Sequence, residues 1–99
     1  MSVAWVYILE CADRSFYTGL TKQHDPAARE WEHNNRVFEN AYTSTRLPVR
    51  LVYAEHFESV TDAIETERKI KGWGRAKKMA MIKGDWRRVV DLSKRRGGK

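Results

Sequence analysis

The stretch VAWVYILE, Val3 to Glu10, limits this chain's options more than any other. Val3, Trp5, Tyr7 and Leu9 form one alternating set, Ala4, Val6 and Ile8 the other, and both sets are apolar. A strand with one wet face would carry a polar set, so this pattern predicts a strand covered on both sides. CADRS then supplies a turn and FYTGL reads as a returning strand, which makes residues 3–20 an antiparallel hairpin. Loop length decides how Tyr7 and Tyr17 meet. Three or five loop residues would set them directly opposite each other; four would put them on opposite faces.

Beyond the hairpin, Asp25 followed by Pro26 is a helix start, with a carboxylate to cap free amides and a proline preset for the first turn. The helix should reach about Asn34. NNRVFENAYTSTRL has turn formers without a sustained period and reads as a loop. Pro48 opens VRLVYAEHF, a third strand with Val49, Leu51 and Tyr53 on one side and Val52 and Ala54 behind. Ser59 and Asp62 fit a capping box for a helix from Val60 to about Lys71. GWG breaks it, and RAKKMAMI predicts a further helix over 75–82 with Ala76, Met79, Ala80 and Ile82 inward. Trp86, Val89, Val90 and Leu92 should cover the core edge, with Trp73 and Trp86 packed rather than exposed. The order ββαβαα indicates an α+β domain: a small three-stranded antiparallel sheet flanked by helices.

With 99 residues there is room for one compact domain and not for two. Residues 1–92 are assigned to it and 93–99, ending in KRRGGK, to a frayed basic tail. The first residues carry no basic leader, and their apolar run is far shorter than the ~18 residues of a membrane span. A cytoplasmic location and no membrane partner are expected. Cys11 stands alone, which excludes an internal disulfide or thiolate cluster and leaves a free thiol in the hairpin turn. His24, His33 and His56 lack metal-ligand spacing, so zinc is not expected.

Charge is unevenly distributed. Residues 1–67 carry six Lys/Arg against eleven Asp/Glu, a net of −5, whereas residues 68–99 carry thirteen against two, a net of +11. Such a segment can neutralise phosphates and release counterions, which makes nucleic acid the leading partner class; the alternative is a solvated face that aids solubility. Arg75, Lys77, Lys78, Arg87 and Arg88 are the candidate contacts.

Two places break the apolar pattern. The inward stripe of the second long helix runs Val60, Ala63, Ile64, Glu67, Ile70, which sets a carboxylate on the face that should meet the sheet. A carboxylate there needs a cation: either a structural pair with a nearby arginine, or a hard divalent ion such as Mg2+ or Mn2+. On the first helix Arg29 and His33 are four apart and share a face. A guanidinium that clamps a phosphate beside an imidazole that takes or holds a proton would suit a phosphodiester site. On an exposed face the same two residues would be surface groups, with Glu30 free to pair with either.

Taken in order, the blocks WVY (Trp5–Tyr7), YTG (Tyr17–Gly19), AAREWEHNN, AYTSTRLPVRLVYAEHF and AIETERKIKGWGRAKKMAMI resemble the GIY-YIG nuclease superfamily over about residues 4–83. Trp5 replaces the first glycine of GIY. The pattern is similar to the small stand-alone UPF0213-like branch, related to the nuclease domains of excision-repair proteins and of structure-selective endonucleases. The resemblance implies a phosphodiesterase working with one divalent ion, Mg2+ or Mn2+. It carries Tyr7 over as the group acting on the attacking water, Tyr17 as a hydrogen-bonding partner and Gly19 as a site of close backbone approach. It likewise makes Arg29 the stabiliser of phosphate charge, His33 an aid to proton transfer and Glu67 the metal holder. Tyrosine, with an ordinary pKa near ~10, is a poor base at neutral pH unless cations lower it, and Arg29 is expected to help do so.

The leading expectation is therefore a metal-dependent endonuclease acting on DNA rather than RNA, structure-selective, in repair or recombination, and monomeric. The alternatives are a nucleic-acid-binding module without cleavage and a nuclease subunit that needs a protein partner, with Trp73 and Trp86 as its contacts.

Overall fold

The computed structural model describes residues 4–22, 25–37 and 42–97; Val3, His24 and the end of the expected tail lie outside them. Strands β1 (Ala4–Glu10) and β2 (Phe16–Thr21) form the hairpin. Then come α1 (Ala27–Asn34), a 3-10 turn over Tyr42–Thr45, β3 (Arg50–Phe57), α2 (Val60–Lys71), α3 (Arg75–Ile82) and α4 (Trp86–Gly97). The sheet is antiparallel in the order β2-β1-β3. The doubly apolar strand is thus the central one, which is why neither of its faces is polar.

Glu10 pairs with Phe16, so the hairpin loop has five residues, closed by Cys11 N–H to Ser15 O and Arg14 N–H to Cys11 O. Arg14 takes the left-handed conformation (φ 72°) that this closure requires. Tyr7 and Tyr17 share a face, as odd loop length dictates, but they are not directly opposite. Tyr7 faces Gly19, and Tyr17 faces Leu9, because the loop starts at Cys11 and shifts the pairing by one step along each strand.

On one face Ala4, Val6 and Ile8 pack against Ala63 and Ile70 of α2, Ala80 and Met81 of α3 and Val89 of α4. Ile8, Ile70 and Val6 are fully buried, and each such side chain contributes about 1.5–3 kcal/mol. On the other face Tyr7 and Leu9 pack with Cys11, Val49, Tyr17, Leu47 and Leu51. The expected alternation of Val49, Leu51 and Tyr53 fails at a β-bulge: Ile8 pairs with Tyr53 and Leu9 with Leu51, leaving Val52 as the extra residue. Tyr53 therefore turns to the α2 side with Val52, away from Leu51.

Both predicted caps are present. The Asp25 carboxylate accepts from Ala27 N–H (2.9 Å) and the Ser59 hydroxyl from Asp62 N–H (3.2 Å). In α3 the buried pair is Ala80 and Met81, whereas Ala76 is exposed and lines a shallow cleft toward Arg88. The fourth helix was not separated out by the sequence pattern. Asp85 caps it by accepting from Arg88 N–H (3.1 Å), and it continues to Gly97, into the stretch expected to fray. Among its described side chains Val89 is buried; Trp86 (54 % exposed) and Val90 are at the surface rather than covering the core. Trp73 is partly buried against the α2-side core, as expected.

Candidate active site

Helix α1 is fixed on the sheet by polar bonds to β3 and the residue before it. The Glu30 carboxylate accepts from Leu51 N–H (2.7 Å), and the Asn34 amide pairs both ways with Val49, accepting from its N–H (2.7 Å) and donating to its carbonyl (3.0 Å). These bonds occupy backbone groups at an otherwise open strand edge. Glu30 is thus committed to the sheet, and it is Glu32 that pairs with Arg29, at 3.3 Å. With α1 so placed, Arg29 and His33 turn toward the sheet rather than to solvent. His33 is only 3 % exposed.

On the sheet, Gly19 sits opposite Tyr7 for a steric reason. A Cβ at position 19 would stand 2.5 Å from Tyr7 Cζ and Oη, so the phenol ring lies directly over the glycine backbone and points toward the free edge of β2. Tyr17 lies beside it, with ring centroids 6.4 Å apart, and also meets the His33 ring at 5.3 Å. The outer side of Tyr17 stacks on Tyr42 of the 3-10 turn, which the Arg46 guanidinium covers at 3.9 Å. Thr43 from the same turn is buried and meets His33 Nδ1 through its hydroxyl at 2.5 Å.

The sixth residue comes from the opposite layer. Leu20, which alternates to the α2 side, and Ile64 and Glu67 of α2 close a cavity of about 400 Å3 whose other walls are Tyr7, Tyr17, Gly19, Arg29 and His33. The cavity lies across the edge of β2, reached from α1 on one side and α2 on the other. Ile64, expected in the core, is instead a partly exposed wall residue. The Glu67 carboxylate is mostly covered and takes its cation from its own helix: Lys71 Nζ lies at 2.8 Å. Where one of the two alternatives had an arginine partner, a lysine one turn on stands instead, an i,i+4 neighbour legible in principle from spacing.

Burial pushes the Tyr7 phenol well above its ordinary pKa; the neighbouring Tyr17, Glu32 and Glu67 add to the effect, and Arg29 opposes it. Arg29 does lower it, as expected, but desolvation outweighs the guanidinium, whose charge is shared with Glu32. Burial and then the Arg29 charge push His33 below its ordinary value, so the ring is neutral at pH 7. Hydrogen bonding to Glu67 holds the Lys71 ammonium up.

None of the five candidate phosphate contacts lines this cavity. Arg75 donates to the Arg14 carbonyl and lies over Phe16 at 4.7 Å, a brace for the hairpin loop. Lys77 Nζ covers the Trp73 ring at 4.3 Å. Lys78 is partly buried; desolvation, and then the charge of Lys71, lower its pKa. Arg87 and Arg88 are exposed on α4.

Residues 3–80 match the family model of the GIY-YIG catalytic domain. The chain belongs to the GIY-YIG family. Within this nuclease family it is 41% identical over 83 residues to a UPF0213 protein of Syntrophus aciditrophicus, covering 84% of this chain and 93% of that one. It is 43% identical over 83 residues to a UPF0213 protein of Staphylococcus aureus, covering 84% and 98%. Its fold is similar to the solution NMR structure of a UPF0213 protein from Bacillus halodurans, with a TM-score of 0.53, 35% identity and coverage of 92% and 97%. The GIY-YIG chain here is α+β, with four helices among the described residues, in keeping with that likeness. No helix among the described residues is long and apolar enough to cross a membrane.

Proposed function

We propose that this GIY-YIG chain is a metal-dependent endonuclease that hydrolyses phosphodiester bonds in DNA, selective for the form of its substrate, with repair or recombination as its setting. One observation carries the reading: six residues from four elements, Tyr7, Tyr17, Gly19, Arg29, His33 and Glu67, line a single cavity. A phosphodiester transition state gathers charge on its non-bridging oxygens, and the Arg29 guanidinium on the cavity wall is the chain's own donor for them. The Tyr7 phenol keeps its proton through neutral pH and so is suited to orient a water by hydrogen bonding, with Tyr17 beside it in the same wall.

Nucleases of this family generally use a divalent metal. Among the described residues no three His, Cys, Asp or Glu side chains form a cluster that could hold one. A single carboxylate fits a hard cation that completes its shell with water and phosphate oxygens, so Glu67 would hold Mg2+ or Mn2+. When bound, such an ion would supply charge neutralisation on the phosphate. Arg75, Lys77, Lys78, Arg87 and Arg88 are assigned to the phosphate backbone outside the cavity, giving affinity that falls steeply with salt.

The test is incubation of nicked, flapped and single-stranded DNA and RNA with Mg2+ or Mn2+. Cleavage of DNA that needs the metal and disappears in Glu67→Ala is the expected result. Cleavage that survives in Glu67→Ala counts against the reading, and a Tyr7→Phe variant with full metal-dependent activity removes Tyr7 from the mechanism.

A further inference from the structure

The carboxylate proposed to hold the metal already carries a cation, and the kind of cation matters. Lys71 Nζ lies 2.8 Å from Glu67 Oε2, and the two side chains differ sharply in cover: Glu67 is 15 % exposed and Lys71 54 %. The anion therefore stands in the cavity wall, while its partner reaches it on a half-free stem from one turn further along α2. An arginine in that place would offer a rigid fork that matches both carboxylate oxygens. A lysine is a point charge on a flexible chain and can let go without moving the backbone. Hydrogen bonding to Glu67 holds the ammonium in its charged form, and it also feels the Tyr17 phenol of the cavity wall.

A divalent ion on the same carboxylate would meet that ammonium. No group of three His, Cys, Asp or Glu side chains among the described residues is placed to share the ion, so a dication and an ammonium would face a single negative charge. Like charges in a covered site are screened less than at the open surface. Lys78 of α3 adds a further positive charge within reach of Lys71.

We infer that Lys71 is a resident counter-ion that competes with the divalent metal for Glu67: its ammonium occupies the carboxylate in the metal-free chain and leaves it when the ion binds. Lys71 thereby sets the metal affinity of the site below what Glu67 alone would give. The inference rests on the proposed reading of Glu67 as the metal holder. It also accounts for a mostly covered carboxylate on α2 in the absence of metal, since the lysine supplies the paired charge that such a group needs.

The test is Mn2+ binding by the full chain at pH 7 and fixed ionic strength, read from the electron spin resonance of the free ion, without nucleic acid. Each protein is compared with its own Glu67→Gln version, so that only the ion held by Glu67 is counted. Lys71→Met, which keeps the stem and removes the charge, should tighten that binding about three- to tenfold. Lys71→Arg, which keeps a cation on the carboxylate, should not tighten it. Lys69→Met removes the same formal charge from an exposed position of α2 and should change the affinity by less than about twofold, which separates competition at Glu67 from net charge. A gain in affinity is not what a damaged fold produces. Glu67-dependent binding that is equal or weaker in Lys71→Met overturns the competition and leaves Glu67 as the metal holder. Absence of Glu67-dependent binding in both the parent protein and Lys71→Met overturns the two together.

Discussion

On the face of the sheet that meets α2, α3 and α4, the buried cluster is Ala4, Val6, Ile8, Ala63, Ile70, Ala80, Met81 and Val89, with Thr18 the polar exception from β2. On the face that meets α1 and the 3-10 turn, Tyr7, Thr21, His33 and Thr43 are buried beside Leu9, Cys11 and Val49. The first face can exchange one apolar side chain for another of similar volume at small cost. The second cannot, because each of its polar groups is placed by a partner: His33 by Thr43, Tyr7 by Gly19, α1 by Glu30 and Asn34. The larger apolar cluster lies on one side of β1 and the candidate site's polar groups on the other, and the cavity forms where a carboxylate from α2 reaches round the free edge of β2.

Substitutions can break that division or sharpen it. The largest effect is expected from Ile8→Ala, which empties a fully buried site on the apolar face: about 2–5 kcal/mol of stability, read from denaturant midpoints. The tyrosine and His33 NMR signals of the remaining folded protein should stay in place. Gly19→Ala should cost less, about 1–3 kcal/mol as an overpacked site, but should displace the Tyr7 ring and shift those same signals. A Gly19→Ala protein with unchanged Tyr7 signals would show that the ring does not lie on the strand.

A smaller effect is expected from pH. The unfolded chain protonates histidine near ~6.5, and the folded protein holds His33 below that. Between the two values the unfolded state binds more protons, so stability rises with pH through this window. The contribution is fully present above the unfolded value and lost as pH falls through the folded one. His33→Gln should flatten the slope of denaturant midpoint against pH in that range, and an unchanged slope would assign it to other groups. The smallest effect belongs to Lys71→Ala. Its pair with Glu67 joins a half-exposed lysine to a helix neighbour, worth about 0.3–0.5 kcal/mol, so a loss above ~1 kcal/mol would mean that α2 depends on the pair far more than such pairs usually allow.

Most of this architecture is legible in the chain because its signals are local. Asp25-Pro26 and the Ser59/Asp62 box mark α1 and α2 by the chemistry of free amides, and the doubly apolar VAWVYILE marks the centre of the sheet. Features set by tertiary fit are not legible in the same way. The bulge at Val52 lies next to the bonds that pin Leu51 and Val49 to α1, and no residue type announces it. Met81 rather than Ala76 faces the core because α4 packs on α3, and the sequence pattern does not resolve α4 as a helix. In the site, Tyr7, Tyr17, Arg29, His33 and Glu67 could be named because their blocks follow a family order. Thr43 could not, since a threonine in a loop without period carries no mark of burial.

The ring of Tyr7 over Gly19 has a bearing on experiments as well as on mechanism. A glycine in an edge strand leaves a bare stretch of backbone open to water and to other strands, and here a phenol from the neighbouring strand roofs it over. Removing the whole side chain would therefore unroof the edge as well as the cavity, and lost activity in such a variant would be indistinguishable from a loosened or self-associating protein. Only the loss of the hydroxyl alone, with the ring kept as a lid, separates what Tyr7 does from what it shelters.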